Sequence, residues 1–267
     1  MLEGNHAAVD PVPNRHFVEL HWFRTELDLA YGVAKDWDVE LDLPFDVKDV
    51  EARYELPDGT PFDNPEGDLH HRDERLEGIS DLKLFANYRP GGVLLKDDRL
   101  HVGLGVSLPV GKVESDPWEL GAQGSKHQHI QFGTGTWDPL LGLSVARTVG
   151  GTTLLASGLV RLVVGENEHG YRAGHRYAAG LVADRPLAGR WRVQGGLDFA
   201  REDAERWNGV VEEEGNLGRT DLLAGVGVSR PFPPAGTLTL QVKVPLLTRA
   251  NGAQLDYPLI VVLGWSR

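Results

Sequence analysis

The feature that most constrains this chain is a strict alternation of apolar and polar residues along short segments. In the clearest example every second residue from Trp37 to Val47 is apolar, and Asp38, Glu40 and Asp42 lie between them. Successive side chains along a β-strand point to opposite faces of the sheet, so a period of two separates the two kinds of residue. The pattern therefore predicts a strand with one apolar and one charged face.

The same alternation recurs along the chain and predicts about eleven strands. Their approximate bounds are 17–33, 37–47, 82–88, 100–110, 137–145, 154–164, 177–183, 191–199, 222–228, 238–246 and 257–265. No segment of helix length keeps a period of about 3.6 residues. The first predicted strand changes phase near Trp22 and Phe23, which indicates a β-bulge at that point.

The predicted connections alternate between short and long. Short turns follow four positions: Val33, Arg147, Leu187 and Phe232. Long polar loops cover three regions: about 57–77, 114–130 and 204–217. Short turns on one rim and long loops on the other are typical of an outer-membrane barrel. We therefore expect an all-β fold, a single antiparallel up-and-down transmembrane β-barrel formed by residues 15–267.

Single-chain bacterial barrels have an even number of strands. Eleven visible strands therefore predict about twelve in total, with the first strand missing from the sequence as given. Residues 1–14 contain no apolar leader core, and we interpret them as a leader remnant or a disordered segment. No apolar run approaches the roughly 18 residues that a transmembrane helix needs.

Composition narrows the function further. The chain has 27 Lys and Arg against 39 Asp and Glu, a formal net charge of −12, which argues against nucleic-acid binding because phosphate contacts need a basic surface. There is no cysteine, so disulfides and thiolate metal sites are excluded. We expect no cofactor and no metal, because the pairs His70–His71 and His127–His129 lie in long polar loops and are interpreted as solvated side chains.

A β-sandwich also alternates, with its apolar face inward, but here the polar face is densely charged from strand to strand. Mixed charge of this kind is stable against a water-filled lumen, where opposite charges pair across strands. Aromatic residues stand near the predicted strand ends, where girdles meet the bilayer interfaces: Trp22, Trp37, Tyr88, Trp137, Trp191 and Trp265. The predicted pore-lining residues are Arg24, Glu26, Asp28, Asp38, Glu40, Asp42, Lys83, Asn87, Arg192, Gln194, Asp198, Gln241 and Lys243.

Three motifs in order resemble one known family. They are GISDLKLFANYR at Gly78–Arg89, GLGVSLPVGK at Gly103–Lys112 and GTGTWDPLLGLS at Gly133–Ser144, and DVELDLPF at Asp38–Phe45 also fits. The set resembles the outer-membrane barrels called MetA-pathway phenol-degradation proteins, often described simply as transporters, over about residues 19–267. The resemblance implies a Gram-negative outer-membrane barrel that handles aromatic or otherwise apolar compounds.

The sequence also departs from that family's pattern. Ser80 and Val110 replace the usual Gly and Thr, and the chain runs on to Arg267 beyond the usual terminal aromatic residue. The family's leader and a further first strand are not visible in the sequence. These departures put efficient insertion into the membrane in question.

We expect a passive channel or transporter for small-molecule uptake or efflux. Its expected partners are outer-membrane lipid, lipopolysaccharide, the barrel-insertion machinery and the solute, with no nucleic acid, and the sequence does not give the oligomeric state. Two alternatives stay open: a plugged structural or adhesive barrel, and a soluble lipocalin-like carrier. An enzyme is not expected, because no serine has a Gly-x-Ser-x-Gly context. We further expect an acidic stripe around Asp38–Asp42 to face a weakly basic one with Arg192 and Lys243.

Overall fold

The computed structural model describes residues 2–8, 12–65, 67–93, 97–213, 215–252 and 254–267, with side chains left undescribed at 3–8, 68 and 70. The strands are β1 (Leu2–Ala8), β2 (Asn14–Ala34), β3 (Trp37–Glu55), β4 (Glu74–Ile79), β5 (Leu82–Tyr88), β6 (Asp98–Leu108), β7 (Asp138–Val149), β8 (Thr152–Arg161), β9 (Tyr171–Arg172), β10 (Arg176–Pro186), β11 (Arg192–Glu202), β12 (Arg206–Trp207), β13 (Asn216–Phe232), β14 (Gly236–Gly252) and β15 (Ile260–Ser266). The helical segments are α1 (Gly67–His70), α2 (Pro117–Ala122) and a 3₁₀ turn (Ala188–Arg190). Within the described residues no helix is both long and apolar enough to span a membrane.

The strands form one antiparallel up-and-down sheet that curls into a barrel. Its order is β1-β2-β3-β5-β6-β7-β8-β10-β11-β13-β14-β15, while β4 pairs with β3 and β9 with β12. All eleven strands predicted from the alternation are present, so the predicted fold class is confirmed.

The twelfth strand of this path comes from the N-terminal segment. The sequence predicts a leader remnant or a disordered segment for residues 1–14. In the structure Leu2–Ala8 form β1, which pairs with residues Leu20 to Asn14 of β2. Backbone pairing with a neighbouring strand orders these residues without any apolar leader core. Met1 and residues 9–11 lie outside the described residues.

The predicted bulge near Trp22 and Phe23 is wrong. The β2–β3 register runs unbroken from Arg15 opposite Glu55 to Gly32 opposite Asp38, and it shifts only beyond Gly32. Trp22 lies on the inner face, where its indole Nε1 donates a hydrogen bond to Asp46 Oδ1 at 2.8 Å. The inner face of β2 therefore changes from apolar to charged along its length, and the strand itself keeps its phase.

The two rims differ as predicted. The turn rim carries the short connections after β2, β7, β10 and β13, and the loop rim carries the long ones after β3, β6, β8 and β11. The β7–β8 turn has only two residues, Gly150 and Gly151, with φ of 56° and 79°. A two-residue hairpin that follows the twist of its strands needs positive φ at both positions, and glycine adopts it without strain.

The outer face of the barrel is apolar and exposed. Leu104 is 63% exposed and Val226 67% exposed, whereas Asp46 on the inner face is fully buried. Exposed Trp37, at the start of β3, and exposed Trp191, just before β11, lie eight positions before the exposed Phe45 and Phe199. Eight residues span roughly 26 Å of strand, or about 20 Å after a tilt of about 40°, close to the apolar band of a membrane barrel. Such a continuous apolar surface is stable against lipid and unstable in water.

The ladder is curled but open along one seam. Among the described residues no backbone pairing joins β15 to β2, and β2 beyond Leu20 pairs only with β3. The residues from His21 to Ala34 are exposed on both faces of β2 as a result. The sequence predicts a closed sheet. In the structure the sheet curls into a barrel wall whose two edges, β2 beyond Leu20 and β15, are not hydrogen-bonded to each other.

Candidate functional site

The thirteen residues predicted to line the pore share one face of the sheet. The registers align Asp38 with Asn87, Asp42 with Lys83, and Gln194 with Gln241 through Gly227. This face encloses a cavity of about 600 Å³, lined among others by Arg24 and Lys83. The structure thus brings these side chains together on the inner wall, and that they line a conducting pore stays a prediction.

Asp38 and Glu40 share their partners on the neighbouring strand. Asn87 Nδ2 donates to Asp38 Oδ1 and to Glu40 Oε2, both at 2.8 Å. Arg89 Nε donates to Asp38 Oδ2 at 2.6 Å, and Arg89 Nη2 donates to Glu40 Oε2 at 2.9 Å. His101 lies 2.9 Å from Asn87 Oδ1. The two carboxylates are therefore held along the wall and do not reach across the lumen.

Lys83 contacts the next carboxylates along the β2–β3 hairpin. Its Nζ lies 3.3 Å from Asp42 Oδ2 and 3.6 Å from Glu26 Oε2. Asp28 lies opposite Asp42 in the register and, within the described part of the chain, makes no ion pair. One lysine thus faces three carboxylates, and this part of the wall stays net negative.

The expected basic stripe on the later strands is wrong. Lys243 Nζ lies 2.7 Å from Asp198 Oδ2, two strands away across Gly225, and Arg192 pairs with Asp184 on the adjacent strand. Both cations are neutralised locally, because each has a carboxylate on the same face within reach of its side chain. These two positions therefore carry paired charges and do not form the free basic stripe that was expected.

Two groups of inner-wall residues were missed by the sequence interpretation. In the first, Asp46 accepts hydrogen bonds from Arg24 at 2.7 and 2.8 Å, from Ser80 Oγ at 2.5 Å and from Trp22 Nε1. Asp46 continues the parity of the acidic alternation, which places it on the charged face, although it was not among the predicted pore-lining residues. Ser80 lies in the two-residue break between β4 and β5, where periodicity gives no signal.

The second group is centred on Asp81 and fixes a loop to the inner wall. Asp81 accepts hydrogen bonds from Gly111 N at 3.1 Å and from Thr134 N and Oγ1 at 2.7 and 2.8 Å. Gly133 packs so tightly that a Cβ there would lie 2.4 Å from Asp81 Oδ1. Lys48 Nζ also donates to the Gln131 carbonyl at 3.1 Å. The segment 131–134, which we call the inner loop, is therefore held against the inner wall and lines the cavity.

Cations outnumber carboxylates around the cavity. Its lining contains seven Lys or Arg and four Asp or Glu, in a protein whose formal net charge is −12. Arg219 pairs with Asp221 at 2.7 Å and lies 4.5 Å from the ring centre of Tyr257, whose pKa is raised by burial to about 12. Burial also raises the pKa of Glu205, a loop carboxyl on the rim of the cavity.

Residues of the long loops form a small apolar core of their own above the cavity. It contains Val163, Tyr171, Ala173 and Trp207, with Trp118 packed against them. The Tyr171 and Trp207 rings lie 4.8 Å apart. This core packs the long loops against one another, so the opening of the barrel at the loop rim is shaped by packed side chains.

The structure also shows one group with metal-ligand spacing among the described residues. It consists of Glu19, His21 and Glu51 on the outer face of the β2–β3 hairpin. Exposed acidic groups often adopt such spacing without an ion, so this cluster assigns no metal to the protein.

Comparison with known proteins finds likeness in structure and not in sequence. No family model matches the chain, and no curated protein matches its sequence. The resemblance to the MetA-pathway family is therefore not confirmed by a sequence match. A crystal structure of the COG4313 outer membrane channel from Pseudomonas putida F1 superimposes with a TM-score of 0.56 at 14% identity, covering 97% of this chain and 91% of that chain. At this identity the likeness establishes a shared fold, the barrel of that outer membrane channel.

Proposed function

We propose that this protein is a passive channel in the outer membrane of a Gram-negative bacterium and that it takes up or releases small molecules. One observation carries the proposal: a cavity of about 600 Å³ lies behind a charged inner wall, while the outer face of the same sheet is apolar and exposed. That arrangement fits a polar path through lipid. The likeness in fold to an outer membrane channel supports it.

The solutes we propose are small aromatic or otherwise apolar compounds. The cavity lies within the range of about 300–1,000 Å³ that small-molecule sites occupy. Trp22, Phe132, Tyr171 and Tyr257 are aromatic residues of its lining. The family resemblance of the motifs supports the same class of solute. Lipid, lipopolysaccharide and the barrel-insertion machinery are the partners that this role requires, and no catalytic activity is part of the proposal.

A second candidate, a plugged structural or adhesive barrel, is favoured by the inner loop. Two hydrogen bonds from Thr134 to Asp81 and one from Lys48 to the Gln131 carbonyl hold this loop against the wall, where it lines the cavity. A soluble carrier is the least compatible alternative, because Leu104 and Val226 would face water at more than half their surface.

Planar-bilayer conductance of the purified protein tests the channel proposal. The informative variant changes Asp38, Glu40 and Asp42 to Asn, Gln and Asn. The matched control makes the same three charge changes on the outward face of the same hairpin, at Glu19, Asp49 and Glu51.

We expect the wild type to conduct and the lumen variant to shift the reversal potential toward anions, because Lys83 and Arg89 lose their counter-charges. The control should shift it much less. A wild type without conductance that opens after neutralisation would favour the plugged barrel. Equal shifts in both variants would show that the inner wall does not line the conducting path.

A further inference from the structure

The cavity contains two cations whose donors are not used up by the protein. Lys48 is only 7% exposed, and within the described residues its ammonium donates to one acceptor, the Gln131 carbonyl, and pairs with no carboxylate. An ammonium has three donors, so two remain. The charge of Asp46 acts on this ammonium, but that carboxylate is already hydrogen-bonded by Arg24, Ser80 and Trp22. A buried cation whose neighbouring carboxylate is bound elsewhere is a favourable position for an anion.

Arg161 is the second such group. Its side chain is 16% exposed, and its guanidinium makes no hydrogen bond to any residue in the described ranges. The nearest carboxylate oxygen, Asp138 Oδ2, lies 3.9 Å from Nε, beyond hydrogen-bond distance. The planar donors of arginine match the two oxygens of a carboxylate.

The surroundings add positive charge and aromatic surface. Arg176 lies opposite Arg161 in the β8–β10 register, lines the same cavity, and exerts its charge on both Lys48 and Arg161. It also pairs with Glu202 at 3.0 Å, so it supplies less than a full free charge. Lys48 Nζ lies 4.3 Å from the ring centre of Phe132 and 5.4 Å from that of Trp22.

We propose that Lys48 is the centre of an anion-binding subsite inside the barrel that takes the carboxylate of a small aromatic acid, and that Arg161 and Arg176 add positive charge along the same cavity. The carboxylate accepts hydrogen bonds from the two unused donors of Lys48, and the ring of the solute packs against Phe132 and Trp22. The inference rests on the proposed channel function and specifies its solute: an amphipathic monoanion with an apolar aromatic body.

Binding of benzoate and benzamide to the full chain in detergent micelles tests the subsite. The two probes have the same ring, but benzamide has a neutral amide in place of the carboxylate. Isothermal titration calorimetry at pH 7, corrected with empty micelles, should show at least tenfold tighter binding of benzoate, about what one charge-assisted hydrogen bond contributes. Equal affinity for the two probes, or no binding of benzoate, would overturn the proposal.

Variants locate the site on the wall. Lys48→Gln should lower benzoate affinity about tenfold and leave benzamide binding unchanged, while Lys48→Arg should restore the preference. Lys243→Gln is the matched control, because Lys243 is an inner-face lysine that pairs with Asp198 and lies outside the cavity lining. An equal loss in the control would mean that general lumen charge attracts benzoate, which would overturn the assignment to Lys48.

Two further arms keep the test decisive. If Lys48→Gln does not fold, as judged by its mobility on unheated gels, Arg161→Gln gives the same comparison. Octanoate tests the aromatic part, and octanoate binding more tightly than benzoate would refute it. Binding in micelles requires no conduction, so the two proposals can fail separately. Conductance without benzoate binding would refute only the subsite, and benzoate binding without conductance would refute only the channel.

Discussion

The inside–outside assignment of the wall leads to a quantitative prediction at two adjacent residues of β14. Val242 lies between Val226 and Val261 in the registers of both neighbouring strands, and these two valines are 67% and 58% exposed. It lies four residues from outward-facing Leu238 and four from outward-facing Leu246. Four residues span roughly 14 Å of strand, or about 10 Å of depth after a tilt of about 40°, so Val242 lies near the middle of the apolar band.

Val242→Arg should therefore destabilise the protein in a bilayer by ~2–4 kcal/mol, the cost of a cation at the midplane. In the folding equilibrium this corresponds to a change of roughly 30- to 700-fold. Gln241→Arg, one residue earlier, should cost less than about 1 kcal/mol, because Gln241 lies on the inner face beside Gly225 and Gly227.

Reversible urea unfolding in phosphatidylcholine vesicles measures both values, followed by tryptophan emission and by mobility on unheated gels. The difference between the two variants is the decisive quantity, since both add one arginine to the same strand. Equal costs, or a larger cost for Gln241→Arg, would show that the assignment of faces is inverted and that the apolar face does not contact lipid.

Three further predictions concern the polar clusters. Arg24→Gln should destabilise the protein by about 2–3 kcal/mol, because it leaves the buried carboxylate of Asp46 without its charged partner, and urea unfolding measures the loss. Asp81→Ala should release Thr134 and the inner loop, which we expect to raise single-channel conductance; unchanged conductance would mean that the loop does not restrict the path. Burial raises the pKa of Glu205, so its ionisation costs stability once pH rises above about 4.5. Glu205→Gln should therefore melt at a higher temperature than the wild type at pH 7 and at nearly the same temperature at pH 4.

Alternation was enough to locate the strands and to sort most side chains between the faces. The parity of Asp38, Glu40 and Asp42 places them on the inner face in the structure as in the prediction. The same reasoning failed at Trp22, because an aromatic residue was assumed to belong to a lipid-facing girdle. Trp22 instead donates a hydrogen bond to the buried carboxylate of Asp46 on the neighbouring strand β3, and the sequence of β2 alone does not indicate this contact.

The sequence by itself determined eleven of the strands, most of their faces and the two rims, because these depend on period and on local turn chemistry such as Gly150–Gly151. Only the tertiary structure decided which charges pair. Lys243 reaches Asp198 across two strands because the intervening residue is Gly225, and no local pattern encodes that distance. Likewise Asp81 joins Gly111 and Thr134, 30 and 53 residues away, which only the register and curvature of the sheet bring together. The tertiary structure also decides which hydrogen-bond donors in the cavity stay unused, because that depends on which acceptors all the neighbouring strands bring within reach of each cation.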